Sequence, residues 1–211
     1  MRIIVLLSIF FCCHTATSQI ERYNRFSLAV GTGVHVPLSP TPYQGRSNYA
    51  GFGRFEIAAR YMFDRVSGVR LQYSMDRFSV NDNTKNGNTF NKIGLEGTYS
   101  IAKLLKLPYR VLDKFNVHAH AGIGITFASP ESTNGVEHIG NITIGIMPQY
   151  RISSKLAVYG DLAYVVNLKQ HYNYNGDLLD PNYESVTGGF ITLRIGLQLS
   201  LGNLGRHADW Y

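Results

Sequence analysis

The feature that most constrains the fold is a strict alternation of apolar and polar residues near the end of the chain. Between Ile191 and Leu201 every second residue is Ile or Leu, and Thr, Arg, Gly, Gln and Ser stand between them. A period of two is typical of a β-strand with one apolar and one polar face. The same alternation recurs from Phe115 to Phe127, where two histidines and two glycines share the polar face.

Eight segments of the chain show this alternation, and we predict a strand of roughly 10–13 residues in each. Short turns at 64–66 and 153–154 alternate with long polar linkers at 38–48, 81–88, 129–137 and 169–184. Alternating short and long connections are typical of an up-and-down barrel whose two ends face different compartments. The predicted strands span residues 26–37, 50–63, 67–79, 89–101, 115–128, 139–152, 155–168 and 186–201.

One connection departs from this pattern. Segment Ala102–Lys114 falls where a short turn is expected, and it combines four basic residues and four leucines with Pro108. We interpret it as a longer turn with a solvated, charged edge. The alternative is a short helix lying at the membrane interface.

The N-terminus has the composition of an export signal. Arg2 precedes an apolar run from Ile3 to Cys13, which is too short to cross a bilayer as a helix. Small residues near its end predict cleavage between Ser18 and Gln19. Residues 1–18 are therefore interpreted as a signal peptide, 19–202 as the barrel and 203–211 as a short periplasmic tail. Both cysteines lie in the signal, so we expect no disulfide and no thiolate chemistry in the mature chain.

The polar face indicates which side of the barrel points outward. In a soluble barrel such as a lipocalin the apolar face points inward, and in an outer-membrane barrel the faces are exchanged. The polar face here is rich in Gly, Ser, Thr and Asn and carries charges of both signs. A narrow lumen needs small residues and paired charges, so we predict an all-β fold, an eight-stranded antiparallel transmembrane barrel in the outer membrane. The expected lumen network, structural or lining a channel, comprises Arg54, Glu56, Arg60, Arg70, Lys92, Glu96, His118, His120, Asp161 and Arg194.

Aromatic residues near the strand ends are expected to form girdles at the two membrane interfaces, where Tyr and Trp are enriched in membrane proteins. The residues assigned to these girdles are Tyr61, Phe63, Phe78, Phe90, Tyr99, Phe127, Tyr150 and Phe190.

The sequence contains no catalytic or cofactor signature. His118 and His120 could together ligate a metal ion, but paired members of the lumen network explain them better. His138 and His171 lie near loops without a suitable serine or carboxylate partner, which argues against a hydrolase. We therefore expect no cofactor, no metal and no enzymatic activity. The basic residues form no single stripe, so nucleic acid is not an expected partner, and a basic rim would face lipopolysaccharide phosphates.

The signal peptide, the eight alternating segments and the closing run ITLRIGLQLSLG (Ile191–Gly202) resemble the OmpA-type outer-membrane barrel domain, often described as porin-like. The overall pattern is similar to that of Bacteroidota-type Gram-negative bacteria. The resemblance implies an outer-membrane protein that meets the outer-membrane assembly machinery and lipopolysaccharide. OmpA itself carries a C-terminal peptidoglycan-binding domain; we expect none here, so no wall-anchoring role is carried over. We expect the tail Asn203–Tyr211 to be disordered, with a small periplasmic contact as the alternative.

An eight-stranded lumen is just wide enough to be filled by its own side chains, so we expect little or no diffusion pore. The leading hypothesis is a non-enzymatic protein with a structural or surface-interaction role through its long loops, above all Lys169–Glu184. A narrow channel for small solutes, an accessory subunit of a larger outer-membrane transport or secretion complex and a lipid-modifying enzyme remain alternatives.

Overall fold

The computed structural model describes residues 23–40, 51–79 and 87–210, and the predicted signal peptide and its cleavage site between Ser18 and Gln19 lie outside them. Eight antiparallel strands form a closed barrel in chain order, and the first strand pairs with the last. The predicted fold class is confirmed, and each predicted strand bound differs from the observed one by no more than two residues. The strands are β1 (Phe26–Ser39), β2 (Gly51–Met62), β3 (Ser67–Ser79), β4 (Gly87–Ser100), β5 (Phe115–Pro130), β6 (Glu137–Arg151), β7 (Leu156–Gln170) and β8 (Val186–Leu201).

The barrel closes through the pairing of β1 with β8. Phe26 lies opposite Leu201, and Gly33 lies opposite Arg194, so the two strands are paired along most of their length. The register shifts between Gly33 and Val34 in the pairing of β1 with β2. Closure leaves no strand edge open, which satisfies the backbone hydrogen bonds that a lipid environment could not satisfy.

The alternation seen in the sequence separates two faces of the barrel wall. In β8, Leu193 and Ile195 are 54% and 61% exposed, whereas Thr192 and Arg194, which alternate with them, are buried. The other strands follow the same rule, so the outer surface is an apolar belt and the polar residues point into the lumen. The exposed belt includes Leu28, Val30, Ile57, Leu71, Ile93, Leu95, Ile123, Ile125, Ile142, Ile144, Leu162, Leu197 and Leu199.

The two ends of the barrel differ. The end where β1 begins and β8 finishes carries the short turns, and we call it the terminal end; the opposite end carries the long connections, and we call it the loop end. At the terminal end, 101–114 contains two one-turn helices, α1 (Ile101–Leu104) and α2 (Tyr109–Leu112), where a longer turn with a solvated, charged edge was expected. The Ser100 side chain caps α1 by accepting a hydrogen bond from the Lys103 amide.

None of the helices in the described part of the chain is long and apolar enough to cross a membrane.

The predicted aromatic girdle is partly wrong. Tyr61, Phe63, Tyr99 and Tyr150 are exposed on the outer surface and Phe127 is half-buried, but three of the assigned residues lie inside the barrel. The three buried rings are those of Phe78, Phe90 and Phe190. The reason is their phase: each stands an even number of residues from a lumen-facing charge on its own strand, and side chains on a strand repeat every two residues.

Candidate functional site

The middle of the lumen is filled by an ion network centred on Glu56. Arg194 Nη1 lies 3.0 Å from Glu56 Oε2, and Arg70 Nη2 is paired with Glu56 Oε1. Arg194 also holds Asp76, with its Nη2 2.9 Å from Asp76 Oδ2. The Tyr159 hydroxyl donates to Glu56 Oε1 over 3.3 Å. Glu56 on β2 thereby ties together β3, β7 and β8 across the barrel.

His120 completes this network on the opposite wall. Its Nδ1 lies 2.9 Å from Glu96 Oε2, and its Nε2 lies 3.4 Å from Asp161 Oδ1. Arg70 Nη1 faces the same two carboxylates, at 3.3 Å from Glu96 and 3.1 Å from Asp161. The arrangement pairs each buried carboxylate with cationic or hydrogen-bonding groups, as burial of charge requires.

Of the ten residues predicted for the lumen, the side chain of Arg54 lies outside the described part of the chain. The other nine are buried in the barrel interior. Glu56, Arg70, Glu96, His120, Asp161 and Arg194 form the central network, and Lys92 Nζ donates to Thr143 Oγ1 over 3.2 Å beside it. Arg60 and His118 belong to a second cluster nearer the terminal end. Among the described residues, no group of three His, Cys, Asp or Glu side chains is placed to hold a metal ion.

This second cluster is built around the C-terminal tail, so the expectation of a disordered tail was wrong. Residues Ala208–Trp210 form a short 3₁₀ helix whose side chains are buried in the mouth of the barrel. Arg60 is ion-paired with Asp209, and Gln198 donates to the same Asp209 carboxylate over 3.1 Å. His118 Nε2 lies 3.3 Å from the other carboxylate oxygen. The tail therefore closes the terminal end of the lumen with a charge that the wall neutralises.

Main-chain bonds hold the tail in this position. The Ala208 amide donates to Asn24 O over 2.9 Å, and the Asn24 amide donates to Arg206 O over the same distance. The Asn24 side chain binds both the amide and the carbonyl of Leu204. Gly202 permits the chain reversal after β8, because its φ of 132° is in a region that favours glycine.

The electrostatics of the tail follow from its burial. Desolvation by itself would raise the pKa of Asp209, but Arg60, His207 and His118 favour the charged form and lower that pKa well below its ordinary value. Burial also lowers the pKa of Lys103 to about 8, although Asp209 opposes the shift. The Lys103 ammonium donates to the carbonyls of Arg65 and Ala208, which joins α1 to the turn between β2 and β3 and to the tail.

The loop end of the lumen is closed by an apolar cluster. Tyr174, which belongs to the connection between β7 and β8, inserts its ring beside Phe78, with 4.4 Å between the ring centroids. Phe90 and Phe190 pack edge-on against Phe78 at 5.1 and 5.3 Å. His171, in the same connection, is bound to Glu137 through both its amide and its ring, which fixes the inserted segment to β6.

Two glycines make room for the Tyr159 side chain in the lumen. A Cβ added to Gly196 would lie 2.6 Å from the Tyr159 ring, and one added to Gly31 would lie 2.5 Å from its hydroxyl. Only glycine accommodates such a close approach, so the ring lies against the inner wall over the backbone of β8 and β1.

Sequence reasoning missed several residues of this site. Asp76 shows the lumen phase of β3, but it is absent from the predicted network. Tyr159 is also absent from the predicted network, although the phase of β7 places it on the same face as Asp161. The role of His207 and Asp209 has no signal in the strand pattern, since the tail has no alternation.

Comparisons with known proteins agree with this architecture. No family model matches the sequence, and no curated protein matches it. The structure is similar to that of Neisserial surface protein A (NspA), with a TM-score of 0.56, 12% identity and coverage of 83% of this chain and 97% of that one. A major outer membrane protein from Thermus thermophilus gives a TM-score of 0.56 at 14% identity, covering 85% of this chain and 100% of that one. OprG from Pseudomonas aeruginosa gives 0.51 at 9% identity, covering 86% and 98%.

These likenesses concern the fold. The shared fold is the small outer-membrane β-barrel, and the outer surface of this chain carries the apolar belt that such a barrel presents to lipid. An exposed apolar surface of this extent is not stable in water. The chain is therefore a transmembrane β-barrel of the outer-membrane type.

Proposed function

We propose that the protein is a non-enzymatic, non-conducting outer-membrane barrel of OmpA-like type that acts through its loop end. The observation that carries this proposal is the occlusion of the described lumen at three successive levels. Tyr174 and the phenylalanines close the loop end, the network around Glu56 fills the middle, and Ala208–Trp210 closes the terminal end. A solute would have to displace paired, buried charges, which costs several kcal/mol per ion.

The loop end is organised in a way that suits contact with a partner. The connection between β7 and β8 is anchored by Tyr174 inside the barrel and by His171 on Glu137. His171 also stacks on Tyr183, with 4.3 Å between ring centroids and 12° between planes. This anchoring presents Leu178 and Tyr183 as exposed apolar side chains on an ordered loop. An ordered loop loses less conformational entropy on binding than a flexible one.

Conductance in planar bilayers tests this proposal. The purified protein is expected to give no steady single-channel current, and the variant Arg194→Gln is expected to behave in the same way because the two ends remain closed. A steady current in the wild type, altered in amplitude by Arg194→Gln, would overturn the proposal and favour a narrow channel. The variant Tyr61→Phe, which changes an exposed side chain outside the lumen, is the matched control.

A further inference from the structure

The terminal end of the barrel is strongly basic. In the described part of the chain its acidic residues are Asp64, Asp113 and the buried Asp209, and Asp113 is paired with Arg151. Far more cationic residues lie at this end: Arg25, Arg65, Lys103, Lys106, Arg110, Lys114, Arg151, Lys155 and Arg206. The described residues of the loop end show the opposite balance, with Arg77 and Lys169 against Glu131, Glu137, Asp177, Asp180 and Glu184.

Within this basic rim, segment 101–114 is amphipathic. Leu104 and Leu105 are 59% and 65% exposed, and Tyr109 and Val111 are also exposed. The segment is fixed to the barrel by Lys103, which donates hydrogen bonds to the carbonyls of Arg65 and Ala208. Exposed apolar side chains beside exposed lysines and arginines are the composition of a segment that lies in a membrane interface.

The apolar part of the segment continues the lipid-facing belt. Tyr99, an exposed residue of the belt, stands two positions before the start of α1 and lies opposite Ala119 on β5. From there a groove of about 650 Å³ runs over the outer wall, and its lining residues include Gly97, Ala119, Ala121, Ile144 and Tyr164. The groove and the basic segment thus form one surface, apolar toward the belt and cationic toward the rim.

We propose that this surface, segment 101–114 with the adjoining groove, binds anionic phospholipids of the leaflet that faces the periplasm. The apolar groove receives acyl chain, and Lys106, Arg110 and Lys114 face the phosphate headgroup. These three side chains are exposed and make no ion pair with any described residue, so they are available to a ligand. The proposal rests on the membrane location and is independent of whether the lumen conducts.

The position of the surface selects phospholipid over lipopolysaccharide. Barrels of this class have short turns on the periplasmic side and longer loops outside, so the terminal end faces the periplasm. Lipopolysaccharide lies on the outer side, where the described loop end is acidic. The expected basic rim toward lipopolysaccharide therefore finds no support among the described residues, and the cationic rim lies at the other end of the barrel.

Native mass spectrometry of the purified full-length mature protein tests the assignment. The protein is transferred from micelles containing equal amounts of phosphatidylglycerol and phosphatidylcholine, and the retained lipids are counted. Each basic side chain near an anionic surface contributes about fivefold to binding. The variant Lys106→Gln, Arg110→Gln, Lys114→Gln is therefore expected to lose at least about tenfold of the preference for phosphatidylglycerol.

A charge-conserving variant is the matched control. Lys106→Arg, Arg110→Lys, Lys114→Arg keeps all three charges and is expected to keep the preference. A heat-dependent gel shift shows that each variant is folded. The double variant Leu104→Ser, Leu105→Ser tests the apolar contact separately, and it is expected to retain less of both lipids. Equal lipid retention by the wild type and the triple glutamine variant would overturn the proposal. So would displacement of phosphatidylglycerol by lipopolysaccharide through the same three residues.

Discussion

The substitution Asp209→Asn tests whether the tail is a fixed part of the barrel. The Asp209 carboxylate faces Arg60, His118, His207 and Gln198. The side chains of Asp209 and Arg60 are both buried. Removing one partner of a buried ion pair costs about 3–5 kcal/mol, because the other charge is left without compensation. Release of the tail hydrates Arg60 again. The equilibrium constant that favours the seated tail over the released tail is therefore expected to fall by a factor of at least about 100.

Trp210 reports on this equilibrium, because it is the sole tryptophan of the chain and is 2% exposed. In Asp209→Asn we expect a red shift of its emission and strong quenching by acrylamide, while the barrel keeps its heat-dependent gel shift. The matched control is Asp113→Asn, whose carboxylate pairs with Arg151 at the barrel rim. This partly exposed pair contributes at most about 1 kcal/mol, so emission should not change. Unchanged Trp210 emission in Asp209→Asn, or equal shifts in both variants, would refute the reasoning.

Three further predictions follow from the same structure. Gly196→Ala brings a Cβ to 2.6 Å from the Tyr159 ring and should lower the free energy of unfolding in urea by about 1–3 kcal/mol. The matched control is Gly160→Ala, whose added Cβ would lie 3.8 Å from its nearest neighbours. This variant should change the free energy of unfolding by less than about 0.5 kcal/mol. Arg194→Gln leaves Asp76 without its guanidinium and Glu56 with that of Arg70 alone. It should therefore lower the unfolding temperature in the gel-shift assay far more than Arg151→Gln, and equal losses would contradict the network. The lowered pKa of Asp209 stabilises the seated tail above the unfolded value of about 3.9, and this stabilisation is lost as pH falls below it. Trp210 emission should therefore shift to the red only in acid, and an Asp209→Asn chain should not show the transition.

The sequence was sufficient to predict the barrel because the membrane imposes a period of two on every strand. A register slip by one residue would place charges such as Arg60 and Arg70 in lipid, so the pattern leaves one assignment of faces. The same phase would also have identified Phe78 and Phe190 as lumen residues. Their residue type favours the girdle, but the phase of the strand decides which face they occupy.

The rest of the site depends on contacts between residues far apart in the sequence. Asp209 follows Arg60 by 149 positions, and its place in the barrel mouth is set by Asn24 and Gly202. No local pattern encodes such a contact. The contact of Lys103 with the tail is a second example. The sequence around Lys103 indicates only a charged turn, and it gives no signal of the tail carbonyl that the ammonium binds.

The most direct test of the central claim, a barrel with lipid outside and a closed polar interior, is tryptophan quenching by brominated phospholipids in reconstituted vesicles. Native Trp210, buried in the barrel mouth, should be little quenched. The double variant Trp210→Phe, Leu193→Trp places the indole on the exposed face of β8 and should be strongly quenched. Strong quenching of native Trp210 combined with a protected Leu193→Trp residue would contradict the account, because the two faces of the barrel wall would then be exchanged.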